Sequence, residues 1–241
     1  LSNTSTFEHI VIDDFSQDDS LRCLVESGNK KNLVPIWLDV NAGPGNARNQ
    51  GLSIASGDYI LFLDADDYFE SGALDKLAKL IDENPQPDLI IFDYFMIKTS
   101  KTTASINSAD AEQLDQRALI ENFMLDKIVS SPWCKCIKAD IAKRNQFPDL
   151  RVQEDSLYNF STFFSCENAI YLQKPLYNFD KSFSGSLTTK DFTKNEMLRF
   201  YKSWKAFEKL VNQSDFENKR KLLAIRKIKF CSFYYMNRLS V

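Results

Sequence analysis

Blocks of hydrophobic residues alternate with polar stretches over the first hundred positions. Four short apolar runs predict strands over 7–12, 34–40, 59–63 and 89–97. A helix is predicted over 46–55, and apolar residues at helical spacing predict a second one, with Ser71 as its N-cap and Ile81 near its end. Regular alternation of strands and helices favours an α/β fold with a largely parallel sheet.

The second half of the chain changes character. Residues 98–108 are rich in Lys, Ser and Thr and predict a mobile loop, whereas the amphipathic stretch 111–128 predicts a helix. Another strand is predicted over 171–179. No internal repeat is present.

The C-terminal segment is basic. Glu217 is the last acidic residue of the chain, and basic residues are interspersed with apolar ones after it. The seven basic residues are Lys219, Arg220, Lys221, Arg226, Lys227, Lys229 and Arg238. Such a basic amphipathic segment is typical of attachment to an anionic membrane surface. It is equally typical of a terminal helix that packs on the protein body with its basic face in water, so both interpretations stay open.

Composition and charge narrow the functional classes. The 241 residues are 44% hydrophobic and 13% aromatic, which is ample apolar material for a globular core and excludes disorder as the main state. Thirty basic residues against 33 acidic ones give a net charge of −3. No global positive field is therefore available to attract nucleic acid, and we expect no nucleic-acid partner.

Cysteine and histidine usage limits the chemistry further. The five cysteines form no CxxC pair, which indicates reduced thiols, and His9 is the only histidine. A zinc cluster and a histidine-based triad are thereby excluded, and any metal must take oxygen ligands, as Mg²⁺ and Mn²⁺ do. No apolar run approaches the ~20 residues of a membrane span, and no signal peptide is recognisable. We expect a cytoplasmic protein.

Acidic residues follow two of the predicted strands. Asp13 and Asp14 come after the first strand, and the sequence Asp64-Ala65-Asp66-Asp67 comes after the third. Ligands of open α/β sheets bind beyond the carboxyl ends of the strands, so both groups are expected at one site. An Asp-x-Asp pair can hold a hard cation together with ligand phosphates, although a solvated acidic turn has the same sequence pattern.

Ordered motifs then indicate a family. They are the segments DDFSQD at 13–18, NAGPGNARNQG at 41–51, ASGDYILFLDADD at 55–67, WCK at 133–135 and ED at 154–155. The series resembles the family 2 glycosyltransferases, nucleotide-sugar enzymes with the GT-A fold, over roughly residues 7–180. The resemblance implies a Rossmann-like, mixed but mostly parallel sheet flanked by helices, with a helical C-terminal extension.

The resemblance assigns the nucleotide pocket. Asp13 and Asp14 match the acidic pair that contacts the base and ribose. Asn41 and Arg48 match residues that line the nucleotide pocket.

The resemblance also assigns the metal and the catalytic acids. Asp64 and Asp66 match the metal motif, and Asp67 matches an acid near the donor sugar. Asp155 matches the general base of inverting members, with Glu154 beside it. Trp133 and Lys135 are expected to flank the acceptor, and core packing is the alternative for Trp133.

The function implied is a metal-dependent, inverting glycosyltransferase. It would use Mn²⁺ or Mg²⁺ and a nucleotide-sugar donor, a UDP-sugar by default, and a glycan or lipid-linked glycan as acceptor in polysaccharide synthesis. Residues 1–98 form the donor half, 99–192 the acceptor half, and 193–241 a helical basic segment, with 219–241 as the candidate contact to the inner membrane face.

One departure and two alternatives accompany this assignment. The family's first strand, with its nucleotide-contacting loop, has no counterpart here, so a central strand is expected to be absent. A non-catalytic nucleotide-binding or scaffold domain of the same fold stays open. A haloacid-dehalogenase-like phosphatase would need Thr or Val where Tyr68 stands, and an EF-hand would need Gly where Phe69 stands.

Overall fold

The computed structural model describes residues 7–27, 32–84, 86–98, 101–103, 111–149, 154–180, 194–213 and 223. Its strands are β1 (His9–Asp13), β2 (Leu33–Trp37), β3 (Tyr59–Leu61), β4 (Tyr68–Phe69), β5 (Leu89–Lys98), β6 (Lys101–Thr103), β7 (Glu112–Asp115), β8 (Lys135–Lys138) and β9 (Asn168–Asp180). Its helices are α1 (Ser20–Glu26), α2 (Pro44–Ile54), α3 (Ala73–Glu83), α4 (Gln116–Met124), α5 (Ala139–Arg144), α6 (Glu154–Phe164) and α7 (Lys194–Gln213).

The described strands form two sheets. β1 and β2 pair in parallel, and the other seven strands form a mixed sheet with the order β3-β8-β5-β9-β4, in which β6 pairs with β5 and β7 with β9. β5 and β9 run parallel, whereas the remaining pairings of this larger sheet are antiparallel. The mixed α/β architecture is as predicted, but antiparallel pairings outnumber parallel ones in the described part of the chain.

Alternate residues of the central strand pack on opposite sides of the larger sheet. Leu89 and Ile91 of β5 belong to one buried cluster, which includes residues of α2, α4, α5, α6 and α7. Ile90 and Phe92 belong to the other cluster, which includes residues of α3. This two-residue period is what a strand buried on both faces requires.

Three local predictions need correction. α3 has Gly72 at its N-cap, in the left-handed region at φ 74°, and not Ser71. Within the predicted mobile loop, residues 101–103 pair with β5. The first part of the predicted helix 111–128 is strand β7; Asp115 then ends the strand and caps α4 by accepting a hydrogen bond from Ala118 N at 2.7 Å. β8 and α5 were not predicted.

The C-terminal extension begins with a helix, as expected. α7 packs on the core through Trp204, Phe207 and Val211. Of the basic segment 219–241 only Leu223 is described, and it is partly buried against the same core cluster; the rest lies outside the described residues. Among the helices that the structure describes, none has the length and hydrophobicity needed to cross a bilayer.

Candidate active site

Arg48 connects two groups of predicted site residues. It lies in the second turn of α2, where its guanidinium donates to Asp64 Oδ1 at 2.7 Å and lies 3.5 Å from Glu154 Oε1. The Arg48 side chain is only 17% exposed, and its guanidinium carbon is 5.5 Å from the centre of the Phe147 ring. The guanidinium of Arg48 thus joins the acid loop, residues 64–67 after β3, to the first turn of α6.

Gly45 lets α2 approach the start of α6 closely. A Cβ at this position would lie 3.1 Å from Glu154 Cγ and 3.2 Å from Phe147 Cβ. Both distances are tighter than nine in ten real Cβ contacts, so a side chain at residue 45 would require Glu154 or Phe147 to shift by a few tenths of an ångström. The glycine therefore contributes to bringing Arg48 within reach of Glu154.

Asp14 and Asn41 bind each other in front of α2. The Asp14 carboxylate accepts from Ala42 N at 2.7 Å and from Gly43 N at 2.8 Å, while the Asn41 side chain donates to Asp14 O at 3.1 Å. Gly43 has φ 87°, which only glycine adopts easily. The end of β1 is thereby joined to the loop that starts α2.

Asp13 lies beside this junction. Its carboxylate accepts from Ser16 N at 2.9 Å and closes a tight turn after β1. The structure therefore brings Asp13, Asp14 and Asn41 together at the N-terminal end of α2. The backbone of Arg48 lies four residues beyond the first residue of α2, about 6 Å along the helix axis at 1.5 Å per residue.

The three aspartates of the acid loop differ in exposure. Asp66 is exposed, Asp64 is half-buried and paired with Arg48, and Asp67 is buried. The loop closes as a turn, since Asp67 N donates to Asp64 O at 3.1 Å. Both oxygens of Asp67 accept hydrogen bonds from the protein, from Tyr177 Oη at 2.6 Å and from Asp180 N at 2.8 Å.

Glu154 and Asp155 begin α6 as adjacent carboxylates. Burial raises the pKa of Glu154 to about 7, with a further contribution from Asp155 and against the opposing effect of Arg48. Burial also raises the pKa of Asp155, although Ser156 N donates to its carboxylate at 2.6 Å and Arg48 and Lys135 oppose the shift. Raised pKa values bring carboxyl groups toward the range in which a general base works near neutral pH.

The acid loop suits a divalent cation that is shared with a ligand. Asp64 and Asp66 offer hard carboxylate oxygens two residues apart, and Asp66 is exposed. In the described residues no group of three or more His, Cys, Asp or Glu side chains could enclose a metal. Mg²⁺-type sites commonly use one or two carboxylates plus substrate phosphates, so the residues present fit such a shared site.

Trp133 and Lys135, which are expected beside the acceptor, are both buried. Trp133 is buried and stacks on Tyr177, with ring centres 4.5 Å apart, in the aromatic cluster of the core. Lys135 is fully buried, and its ammonium donates to Val129 O at 2.8 Å and Ser131 O at 2.6 Å. The alternative for Trp133, core packing, is what the structure shows.

Sequence reasoning missed three residues of this site, namely Tyr177, Phe147 and Gly45. Gly45 stands in the quoted motif, and its glycine-rich context could have indicated a close approach. Tyr177 lies 110 positions from its partner Asp67 in sequence, and nothing in the local pattern of Tyr177 or Phe147 distinguishes them from core residues.

Comparison with known proteins decides the family. The family model described as "Glycosyl transferase family 2" matches residues 2–178. The chain belongs to glycosyl transferase family 2. The fold expected from the sequence motifs is confirmed by solved structures. A crystal structure of residues 1–349 of S. aureus TarS in complex with UDP aligns with 98% of this chain and 67% of that chain, at 25% identity and a TM-score of 0.77.

Curated relatives of this family 2 chain are longer proteins. The poly(ribitol-phosphate) β-N-acetylglucosaminyltransferase TarS of Staphylococcus aureus is 41% identical over 86 residues, covering 35% of this chain and 15% of TarS. Glycosyltransferase GlyA of Streptococcus pneumoniae is 29% identical over 186 residues, covering 72% of this chain and 27% of GlyA. The chain thus spans only a small part of the length of these relatives.

Proposed function

We propose that this family 2 domain is a metal-dependent, inverting glycosyltransferase that moves a sugar from a nucleotide donor to a cell-surface glycan or lipid-linked glycan. The observation that carries the proposal is the contact of Arg48 with both Asp64 and Glu154. It joins the acid loop, suited to a cation and phosphates, to the carboxylate pair suited to proton transfer. The UDP complex of the similar TarS structure supports a UDP-sugar as donor.

The donor would be held at the N-terminal end of α2. Asp13, Asp14 and Asn41 are proposed to contact the nucleoside, and the Asp14 interactions with Ala42 N and Gly43 N keep this loop in place. Arg48 is proposed to meet the diphosphate. Because Arg48 already contacts both Asp64 and Glu154, it would exchange one carboxylate partner for a phosphate oxygen when the donor binds.

Asp64 and Asp66 would hold Mn²⁺ or Mg²⁺. A cation there would neutralise the charge on the leaving diphosphate. Asp67 is considered separately below, because both of its oxygens are already engaged.

Asp155 is proposed as the general base. Inversion requires the acceptor hydroxyl to lose its proton while the diphosphate leaves from the opposite side of the anomeric carbon. Burial raises the pKa of Asp155, which makes its carboxylate a stronger base for that proton. Glu154 is proposed to hold Arg48 in place while the transfer occurs.

Thermal unfolding with and without ligand tests the proposal. UDP at ~100 times its dissociation constant adds about 2.7 kcal/mol to the free energy of unfolding, a rise in Tm of about 5–11 °C for a chain of this size. We expect the rise with UDP to need Mn²⁺ and to be lost in Asp66→Ala. Asp82→Ala, on the exposed surface of α3, is the matched control and keeps the rise.

Two results would contradict the proposal. A rise that is independent of Mn²⁺, or equal in Asp66→Ala and the control, contradicts the metal site. Normal Mn²⁺-dependent binding without any sugar transfer from a UDP-sugar panel would favour the non-catalytic nucleotide-binding domain instead.

Peripheral attachment to a membrane through residues 219–241 is a separate part of the proposal, supported by the pattern of basic and apolar residues. Leu223 packs against the core, which supports the competing interpretation of a terminal helix on the protein body. Sedimentation with phosphatidylglycerol vesicles decides between them. Attachment predicts that a chain ending at residue 218 loses vesicle binding at low salt, and unchanged binding would contradict it.

A further inference from the structure

The acid loop is held from the buried side by one hydroxyl. Tyr177 Oη donates to Asp67 Oδ2 at 2.6 Å and accepts from Asp64 N at 3.3 Å. The other oxygen of Asp67 accepts from Asp180 N at 2.8 Å. The acid loop is therefore held by contacts with β9 at residue 64 and at residue 67, which lie on either side of Asp66 in sequence.

Packing holds the Tyr177 side chain in place. Tyr177 is fully buried, stacks on Trp133 and contacts the Phe69 ring edge-on at 5.3 Å between centres. The strand that follows the loop is tied to β9 as well, since Glu70 N donates to Leu176 O at 2.8 Å. Burial raises the pKa of Tyr177 far above its ordinary value, so the hydroxyl keeps its proton and remains a donor.

We propose that Asp67 and Tyr177 are positioning residues, which fix the backbone of the acid loop so that Asp64 and Asp66 face the donor diphosphate and its cation. This proposal rests on the proposed function for the nature of that ligand. It assigns Asp67 a role different from contact with the donor sugar, because both of its oxygens are used within the protein.

The physical basis is the cost of leaving a buried carboxylate oxygen without a partner. The Asp67 side chain is buried, so loss of the Tyr177 hydroxyl would leave Asp67 Oδ2 without this hydrogen bond in apolar surroundings. The loop would then turn toward water to hydrate that oxygen. Asp64 and Asp66 would move with it, although neither touches the site of the substitution through its side chain.

Tyr177→Phe removes this hydroxyl and keeps the ring stacking. Tyr94→Phe is the matched control, because Tyr94 packs edge-on against the same Trp133, at 4.7 Å between ring centres, on the neighbouring strand β5. Two readouts are needed. One is hydrogen–deuterium exchange of a peptide covering residues 62–70, and the other is calorimetric titration of UDP with and without MnCl₂.

We expect faster exchange in 62–70 and about tenfold weaker Mn²⁺-dependent UDP binding in Tyr177→Phe, the size of effect that one hydrogen bond to a charged group produces. Tyr94→Phe should match the unsubstituted chain in both readouts. If hydrogen–deuterium exchange in residues 62–70 were unchanged in Tyr177→Phe, the hydrogen bond from Tyr177 to Asp67 would not be holding the loop, and the proposal would be overturned. Faster exchange with unchanged UDP binding would overturn its role in positioning.

Asp67→Asn separates positioning from direct contact. A positioning role predicts that this variant weakens UDP and UDP-GlcNAc binding by the same factor, whereas contact with the donor sugar predicts a larger loss for UDP-GlcNAc. The larger loss would overturn the proposal. If the unsubstituted chain bound no UDP in the presence of Mn²⁺, the proposed function would be contradicted, and the exchange measurement would still support or overturn the connection.

Discussion

The two sides of the acid loop are built differently. On one side, Arg48 reaches Asp64 and Glu154 through a long charged side chain that keeps some contact with solvent. On the other side, the fully buried Tyr177 holds Asp67 from within the aromatic part of the core. The charged side can exchange partners when a ligand arrives, whereas the aromatic side has one arrangement. Under the proposed function, binding and catalysis would depend on the first side and loop geometry on the second.

The strongest test of this contrast is the removal of Arg48. Arg48→Ala leaves Glu154 and Asp64 without their shared cation, and we expect sugar transfer to fall about 100-fold, as when an electrostatic stabiliser of a developing charge is lost. Arg48→Lys should recover only part of the rate, because an ammonium does not present two donors in the planar arrangement of a guanidinium. Steady-state kinetics with a UDP-sugar measures both effects.

Arg144→Ala is the control for Arg48. Arg144 forms an exposed pair with Asp140 at 3.3 Å on α5, and its loss should change neither transfer nor unfolding. Equal rates of sugar transfer in Arg48→Ala and Arg144→Ala would show that Arg48 has no part in the reaction.

A smaller effect is expected when a methyl group is added in the narrow space between α2 and the start of α6. Gly45→Ala places a Cβ at 3.1–3.2 Å from Glu154 and Phe147, and should lower the free energy of unfolding by about 1–3 kcal/mol, as overpacking does. Gly51→Ala in the same helix has contacts of 3.8 Å or more, and should raise it by about 0.5–1 kcal/mol through helix propensity. Urea unfolding of the two variants measures both changes. A Gly45→Ala variant as stable as the unsubstituted chain would contradict the close approach of α2 to Glu154 and Phe147.

A further effect, on the pH dependence of stability, concerns the charge of Glu154. Its pKa in the folded protein is about 7, above the value of 4.5 for a free side chain, so the folded state binds more protons between these values. The free energy of unfolding should therefore fall as the pH rises from about 5 to about 7.5. Glu154→Gln should flatten this part of the profile in urea unfolding at a series of pH values. An unchanged slope would show that Glu154 titrates normally.

Much of the fold was predictable because the strands carry dense apolar runs. β1, β2, β3, β5 and most of β9 lie where the hydrophobic pattern predicts them, and α2 lies close to its predicted range. The pattern could not distinguish strand direction, because β5 is buried on both faces whether its neighbours are parallel or antiparallel. β7 was assigned to a helix because its four residues continue the amphipathic stretch of α4.

The candidate site was predictable where its residues cluster in sequence. The pairing of Arg48 with both Asp64 and Glu154 joins three of the predicted positions, but the contact itself depends on Gly45, which lets α2 approach the first residue of α6 closely. The role of Tyr177 was invisible, because its partner Asp67 is 110 positions away in sequence and its own segment carries an ordinary strand pattern. Trp133 shows the reverse case, a residue with a motif-like appearance that belongs to the core.

The central claim is that the acid loop and Arg48 together form a site for the diphosphate of a nucleotide. Calorimetric titration of UDP and of uridine, each with and without MnCl₂, tests it most directly on the unsubstituted chain. We expect UDP to bind only with Mn²⁺ at measurable affinity, and uridine to bind far more weakly under both conditions. Equal binding of uridine and UDP, or UDP binding indifferent to Mn²⁺, would contradict the account.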